Sequence, residues 1–323
     1  MKKIFLVAVA CAALVSCVKN ELVQEQSSQR QITFQTVVKP ETTRAAESYG
    51  EAPFSASAFK VEQGETWPTT TGVYFEDVTV KKNVAGYVGQ WTTETPCYWP
   101  MAGTLTFYAH SPISIVADAL VAPWTYTFTD YSMDNDVDFM VASIQSGLSA
   151  NNVSVPFGHK LTKVAVKIWA ENIIGGATYT LKSITFNNLA DNATFTQTST
   201  GDEAWSTPSA FTKSYTIFND TMEVTAITAE TAHSVDITKE FYVPHTLNSN
   251  AEMVVVYNVA EPGLGNKDYT KNVKFSDIHS LADVWIKNNQ VTYSLQIGGK
   301  ERIIWDTPTI LTGWNEVGYS VLL

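Results

Sequence analysis

Ile32–Val38 reads ITFQTVV, and Lys39–Ala45 reads KPETTRA. Ile32, Phe34, Thr36 and Val38 occupy every second position. Side chains alternate across a β-strand, so this period sets all four on one face of a half-buried strand. From Lys39 to Pro53 the chain has no period and carries Pro, Glu, Thr, Ala and Gly, which marks a loop. Arg44 and Ala45 sit in that loop, where a protease has access. Arg30 stands just ahead of the strand. Cutting after Arg30 leaves the strand in place, cutting after Arg44 removes it, and an uncut surface arginine is the third reading. Loop composition from Thr42 to Glu51 favours Arg44.

Upstream lies an export address. Lys2 and Lys3 form a positive start, and Ile4 to Val15 is an apolar run of about a dozen residues, too short to span a bilayer as a final helix. It ends Leu14-Val15-Ser16-Cys17, similar to the lipobox of bacterial lipoproteins, in which the cysteine is acylated and becomes the first mature residue. An ordinary secretory signal and an N-terminal membrane helix are the other readings. Residues 1–16 are thus expected to be a signal peptide and 17–31 a polar tether. Acyl chains on Cys17 hold such a protein on a membrane without spanning it.

The 323 residues suffice for about two domains. Hydrophobic residues make up 45% and charged residues 16%, so sizeable cores can be buried, and no second long apolar run exists. Net charge is −11, or −13 once Lys2 and Lys3 leave with the signal. No basic patch is present, which argues against nucleic acid as a partner. Cys11 leaves with the signal and Cys17 carries lipid, so Cys97 has no intramolecular disulfide partner and is expected buried and inert.

From Phe54 onward the pattern is β. Strands are expected at Phe59–Val61, Val73–Val80, Tyr87–Thr92, Thr104–His110, Thr125–Thr129, Lys163–Ala170 and Thr178–Asn187. More are expected at Ser214–Phe218, Glu240–Val243, Glu252–Val259, Val273–Phe275, Val291–Ile297, Arg302–Trp305 and Tyr319–Leu323. Thr, Val, Tyr, Phe and Trp dominate them, as pleated half-buried surfaces prefer. Only Ile113–Leu120 and Asp277–Trp285 suit short helices. The expected fold is all-β, with two β-sandwich domains divided at the polar Ser149-Ala150-Asn151-Asn152, as 32–152 and 153–323. No short-period repeat is visible.

Nothing in the chain calls for catalysis, a cofactor or a metal. Asp134-Asn135-Asp136-Val137-Asp138 starts like a calcium loop, but Phe139 replaces the turn glycine and Gln145 the bidentate glutamate. The histidines His110, His159, His233, His245 and His279 lack ligand spacing. The nine tryptophans are spread through the chain, as core anchors would be, rather than gathered as a sugar platform.

In order, the lipobox at Cys17, the ITF strand with Thr43-Arg44-Ala45, Cys97-Tyr98-Trp99-Pro100, and Leu105-Thr106-Phe107-Tyr108-Ala109 form a series. It continues through Asp138–Ala142, Pro156–Val164, Phe241-Tyr242-Val243-Pro244 and the closing Val291–Trp314. This series resembles the fimbrillin family, subunits of the type V pili of Gram-negative anaerobes. The resemblance implies two tandem transthyretin-like β-sandwiches and a route of assembly. A lipoprotein precursor on the outer membrane surface is cut by an arginine-specific protease, loses its first strand, and receives the C-terminal segment of another subunit. The implied partners are other pilus subunits, that protease, the lipid membrane through Cys17 and a host surface. A surface-anchored glycan-binding lipoprotein and an uncut pilus anchor are the alternatives. The donor candidate is Asn315–Leu323, in which Val317, Tyr319, Val321 and Leu323 repeat the period of the first strand. The other reading of this tail is the last strand of its own sandwich.

Overall fold

The computed structural model describes residues 30–38, 50–70, 72–82, 89–120, 122–132, 137–150, 152–170, 176–224, 235–242, 244–278, 285–297, 303–305 and 309–312. Within them the chain is almost wholly β, as expected.

The first half contains β1 (Thr33–Val38), β2 (Phe54–Val61), β3 (Gly72–Lys82), β4 (Trp91–Thr93), β5 (Thr104–Ser111), β6 (Tyr126–Ser132), β7 (Met140–Ala142), β8 (Gln145–Leu148) and β9 (Val153–His159). The hydrogen-bonded order runs β2-β3-β4-β1-β9-β7-β5, and β5 pairs back onto β2. Seven strands therefore close on themselves, where the sequence suggested a β-sandwich. Alternating side chains explain the closure. Phe54, Ala56, Ala58, Leu105, Phe107 and Ala109 point into the ring with Ile32, Phe34, Trp91, Val153 and Phe157. The intervening Phe59, Tyr108 and His110 point outward yet are also buried. β2 and β5 are thus covered on both faces and read as nearly continuous apolar runs rather than as strict alternation.

The second half contains β10 (Thr162–Ala170), β11 (Thr178–Leu189), β12 (Asn192–Gln197), β13 (Glu203–Trp205), β14 (Lys213–Val224), β15 (Val235–Tyr242), β16 (Glu252–Glu261), β17 (Gly265–Lys274), α1 (Phe275–Ile278), β18 (Asn289–Ile297), β19 (Ile303–Trp305) and β20 (Thr309–Thr312). One sheet runs β15-β10-β18, with β19 and β20 both on the far edge of β18; the other runs β14-β11-β16-β17. Their apolar faces share one core, built from Val164, Val166 and Ile168 of β10, Ile184 and Phe186 of β11, Val255 and Tyr257 of β16, and Val291 and Tyr293 of β18. The pairing pattern of the first half recurs here. β1 is parallel to β9 and antiparallel to β4, and β10 is parallel to β18 and antiparallel to β15. The likeness is confined to these three-strand neighbourhoods, since the first half closes into a ring and the second forms two sheets.

A small sheet, β13-β12-β6, joins the halves, because β6 comes from the first and β12 and β13 from the second. Its hairpin is fastened at several points. Trp67 Nε1–H donates to the Ser199 carbonyl (2.7 Å), Gln197 Nε2–H to the Ala142 carbonyl (3.0 Å), and Trp205 Nε1–H to the Lys160 carbonyl (2.8 Å). Glu203 accepts from Lys160 at 2.8 and 2.9 Å and from Lys287 at 2.9 Å.

One local expectation differs from the structure. Ile113–Leu120 is turn and extended chain, because His110 occupies the Ile115 carbonyl and Asp118 N–H donates to Thr127; β-branched Ile113, Ile115 and Val116 add a weak helix preference. Of the expected helix Asp277–Trp285, Asp277 and Ile278 lie in α1, and residues 279–284 lie outside the described residues. Val153–His159, placed beyond the expected division at 152, pairs as β9 within the first ring.

Candidate functional site

The site is the slot that β1 fills. β1 lies between β4 and β9. Thr33 and Phe34 pair antiparallel with Thr92 and Trp91, while Phe34 to Val38 pair parallel with Val153 to Phe157. The ladder continues ahead of the strand. Ile32 N–H donates to the Cys97 carbonyl (2.8 Å), Gln31 bridges Tyr98, and Trp99 N–H donates to the Arg30 carbonyl (3.0 Å). The Thr33 hydroxyl donates to Asn152 Oδ1.

Ile32 is 0% exposed and Phe34 4%. Phe34 meets Phe54 and Phe107 edge-on, with centroids 5.8 and 6.0 Å apart. Trp91 and Phe157 pack against Phe54 in turn, and Trp99 against Phe107. Burial of side chains the size of Ile32 and Phe34 is worth about 1.5–3 kcal/mol each, and each aromatic edge contact adds about 0.5–1.5 kcal/mol. Gln35 is exposed and Thr36 half-buried, so the alternation read from the sequence holds across Ile32, Phe34 and Thr36. Val38 is placed by its backbone pairing with Phe157.

The wall of Cys97, Tyr98 and Trp99 is not legible from periodicity, because it contributes one isolated bridge rather than a strand. Cys97 is half-buried, and its backbone N–H donates to Thr93 Oγ1 at 3.1 Å. Tyr74 O–H donates to the Tyr98 carbonyl (2.9 Å); burial first, and then Cys97 nearby, raise this phenol above its ordinary range and keep it a donor.

Arg30 is exposed, but its main chain belongs to the ladder with Trp99. Arg44 and Ala45, the acylation candidate Cys17, and Val317, Tyr319, Val321 and Leu323 all lie outside the described residues. The segment just before that tail pairs with its own molecule, as β19 and β20 on β18.

Removing β1 would break the ring between β4 and β9. Two rows of backbone donors and acceptors would be left without partners, above an uncovered aromatic floor. That arrangement can bind an extended chain; it holds no set of groups arranged for bond-making. Among the described residues no cluster of three or more His, Cys, Asp or Glu is placed to hold a metal. A surface cavity of about 380 Å³ is lined by Ser57, Glu76, Asp77, Asp118, Leu120 and Tyr126. Its carboxylates are engaged locally: Glu76 accepts from Leu120 N–H, Asp77 from Ser55 and Asp118 from Thr129. No described tryptophan with a described side chain is exposed.

Residues 39–314 match the model of the Fimbrillin-like family, and the chain belongs to that family. It is accordingly a structural protein rather than an enzyme. A fimbrial protein from Bacteroides vulgatus has a similar fold, with a TM-score of 0.61 at 14% identity over 88% of this chain and 100% of that one. A candidate cell adhesion protein from Bacteroides uniformis gives 0.53 at 18% identity over 89% and 99%. One from Bacteroides ovatus gives 0.52 at 14% over 90% and 100%. No curated protein matches the chain.

Proposed function

We propose that this chain is a structural pilus subunit, exported as a lipoprotein precursor and assembled by protease-triggered strand exchange. Acylation at Cys17 holds the precursor on the outer membrane surface. An arginine-specific protease cuts between Arg44 and Ala45, β1 leaves with the residues ahead of it, and the tail of another subunit fills the slot. The two halves correspond to two tandem transthyretin-like units, the first closed by its own β1. The fibre then serves adhesion, with a host surface as its outer partner.

One observation carries this reading: β1 is the strand that closes the ring, with partners on both edges and Ile32 and Phe34 beneath the surface. Its loss leaves a slot of defined shape, and main-chain hydrogen bonds plus alternate side-chain pockets are what strand addition uses. The position of Arg30 supports Arg44 as the cut. A protease takes its substrate as a free extended segment, whereas Arg30–Ile32 is already paired with Cys97–Trp99. The buried and half-buried tryptophans speak against the glycan-binding alternative.

Replacing Arg44 by Ala tests the reading. The variant should remain a folded, lipidated monomer. Assembly of the variant into SDS-resistant ladders would remove the cut at Arg44 as the trigger.

A further inference from the structure

We propose that the buried junction between the halves is a self-modification site, in which Lys160 Nζ forms an amide bond with the side chain of Gln197 while Glu203 shuttles the protons and ammonia is released. The step runs once in each molecule, ties the halves covalently, and does not depend on strand exchange.

The β12–β13 hairpin brings the three groups together. Gln197 ends β12 and pairs with Glu203 at the start of β13, across a turn closed by Thr198 N–H on the Asp202 carbonyl (2.8 Å). Lys160 lies in the short link between β9 and β10. Its N–H donates to the Phe139 carbonyl (2.8 Å), and its carbonyl accepts from Trp205 Nε1–H (2.8 Å). One oxygen, Glu203 Oε1, accepts from both Lys160 Nζ (2.9 Å) and Gln197 Nε2 (3.2 Å). The carboxylate therefore touches the nitrogen that attacks and the nitrogen that leaves, as a general base that turns general acid must. Gln197 is 0% exposed and the Lys160 side chain 7%. The rings of Phe139, Phe195 and Trp205, from the same segments, pack edge-on against one another. Bulk water is thus kept from competing with the amine.

Two further features favour the step. Lys287 Nζ sits on the same carboxylate at 2.9 Å. Two ammonium groups on one carboxylate favour loss of a proton from one of them, and burial selects Lys160. Gln197 Oε1 is buried without a hydrogen-bond partner among the described residues. A buried acceptor without a donor is a standing cost that packing alone does not explain.

The ion pair is the state before reaction. Glu203 takes a proton from the Lys160 ammonium, and the freed amine adds to Gln197 Cδ. The carboxylic acid protonates Nε2, and the Cδ–Nε2 bond breaks. The surplus proton on Nζ passes through Glu203 to the departing ammonia, which restores the carboxylate. One ammonium group and one carboxamide thus become one secondary amide and one ammonium ion, with no oxidant, reductant or cofactor. Holding the groups in contact makes the step unimolecular.

Mass spectrometry of a tryptic digest of the full chain tests this. The digest should contain a branched peptide that joins the segments of Lys160 and Gln197, lighter by one ammonia than their sum and uncut at Lys160. Lys160→Arg keeps a cation beside Glu203 but removes the nucleophile, and Gln197→Met removes the acyl group; each should give the two segments separately at full mass. Wild-type protein that yields both segments unmodified overturns the proposal. So does loss of ammonia located elsewhere, or a junction adduct that persists in Lys160→Arg. None of these readouts depends on fibre assembly, so the strand-exchange reading stands or falls separately.

Discussion

His110 is wholly buried between two groups that fix its tautomer. Its Nε2–H donates to the Ile115 carbonyl (2.5 Å), so Nδ1 is the acceptor for the Tyr126 hydroxyl. Burial holds the imidazole below its ordinary value, against smaller opposing effects of the Ile115 carbonyl and Asp77. The unfolded chain takes up a proton below about pH 6.5 and the folded chain resists it, so stability is full above that value and is lost on acidification. Melting temperature should fall between about pH 7 and 5, and His110→Asn should flatten that slope. An unchanged slope would show that His110 does not titrate with unfolding. None of this is legible in the sequence, where His110 is one of five histidines without spacing. Ile32 and Phe34 were legible, because strand alternation is local and needs only neighbours in the chain.

At the scale of elements, the β12–β13 hairpin fastens the halves through Glu203. Burial alone pushes this carboxyl up, but Lys160 and then Lys287 outweigh burial and hold it below its ordinary value. Its contribution is therefore present above the unfolded value of 4.5 and lost as pH falls below it. Glu203→Gln removes the carboxylate charge beside the Lys160 ammonium, which is 7% exposed; removal of one member of a buried pair costs about 3–5 kcal/mol. Denaturant unfolding should show a loss of that order at neutral pH, shrinking below about pH 4. A neutral substitution would mean that Glu203 does not carry the coupling, which would then rest on Trp67, Gln197 and Trp205. β7, β8 and β13 were not legible, because runs of three or four residues are too short for a period to emerge, and β12 turns the polar Gln197 inward with Ala193 and Phe195. β9 was hidden by Pro156, which ordinarily demotes a strand. The tail has its own test. Truncation of Glu316–Leu323 should leave a folded subunit that is still cut yet does not extend a fibre. A lowered melting temperature would instead make the tail an internal strand, and a stable truncated protein that polymerises normally would remove both roles.

At the scale of the molecule, a fold class read from many short strands was sound, whereas ring closure was not legible. Closure depends on β5 meeting β2 and on β1 meeting β9 more than a hundred positions later, and no local pattern encodes such pairings. The same closure is central to the proposed function: β1 sits between β4 and β9 in the ring, and the proposed cut would take it out. The net charge of −11 gives the chain no steering towards nucleic acid. The most direct measurement is the N-terminal sequence of the protein recovered from assembled fibres. Fibre subunits should begin at Ala45, with Cys17 and β1 gone. Fibres whose subunits begin at an acylated Cys17, or at Gln31 with β1 retained, would contradict it.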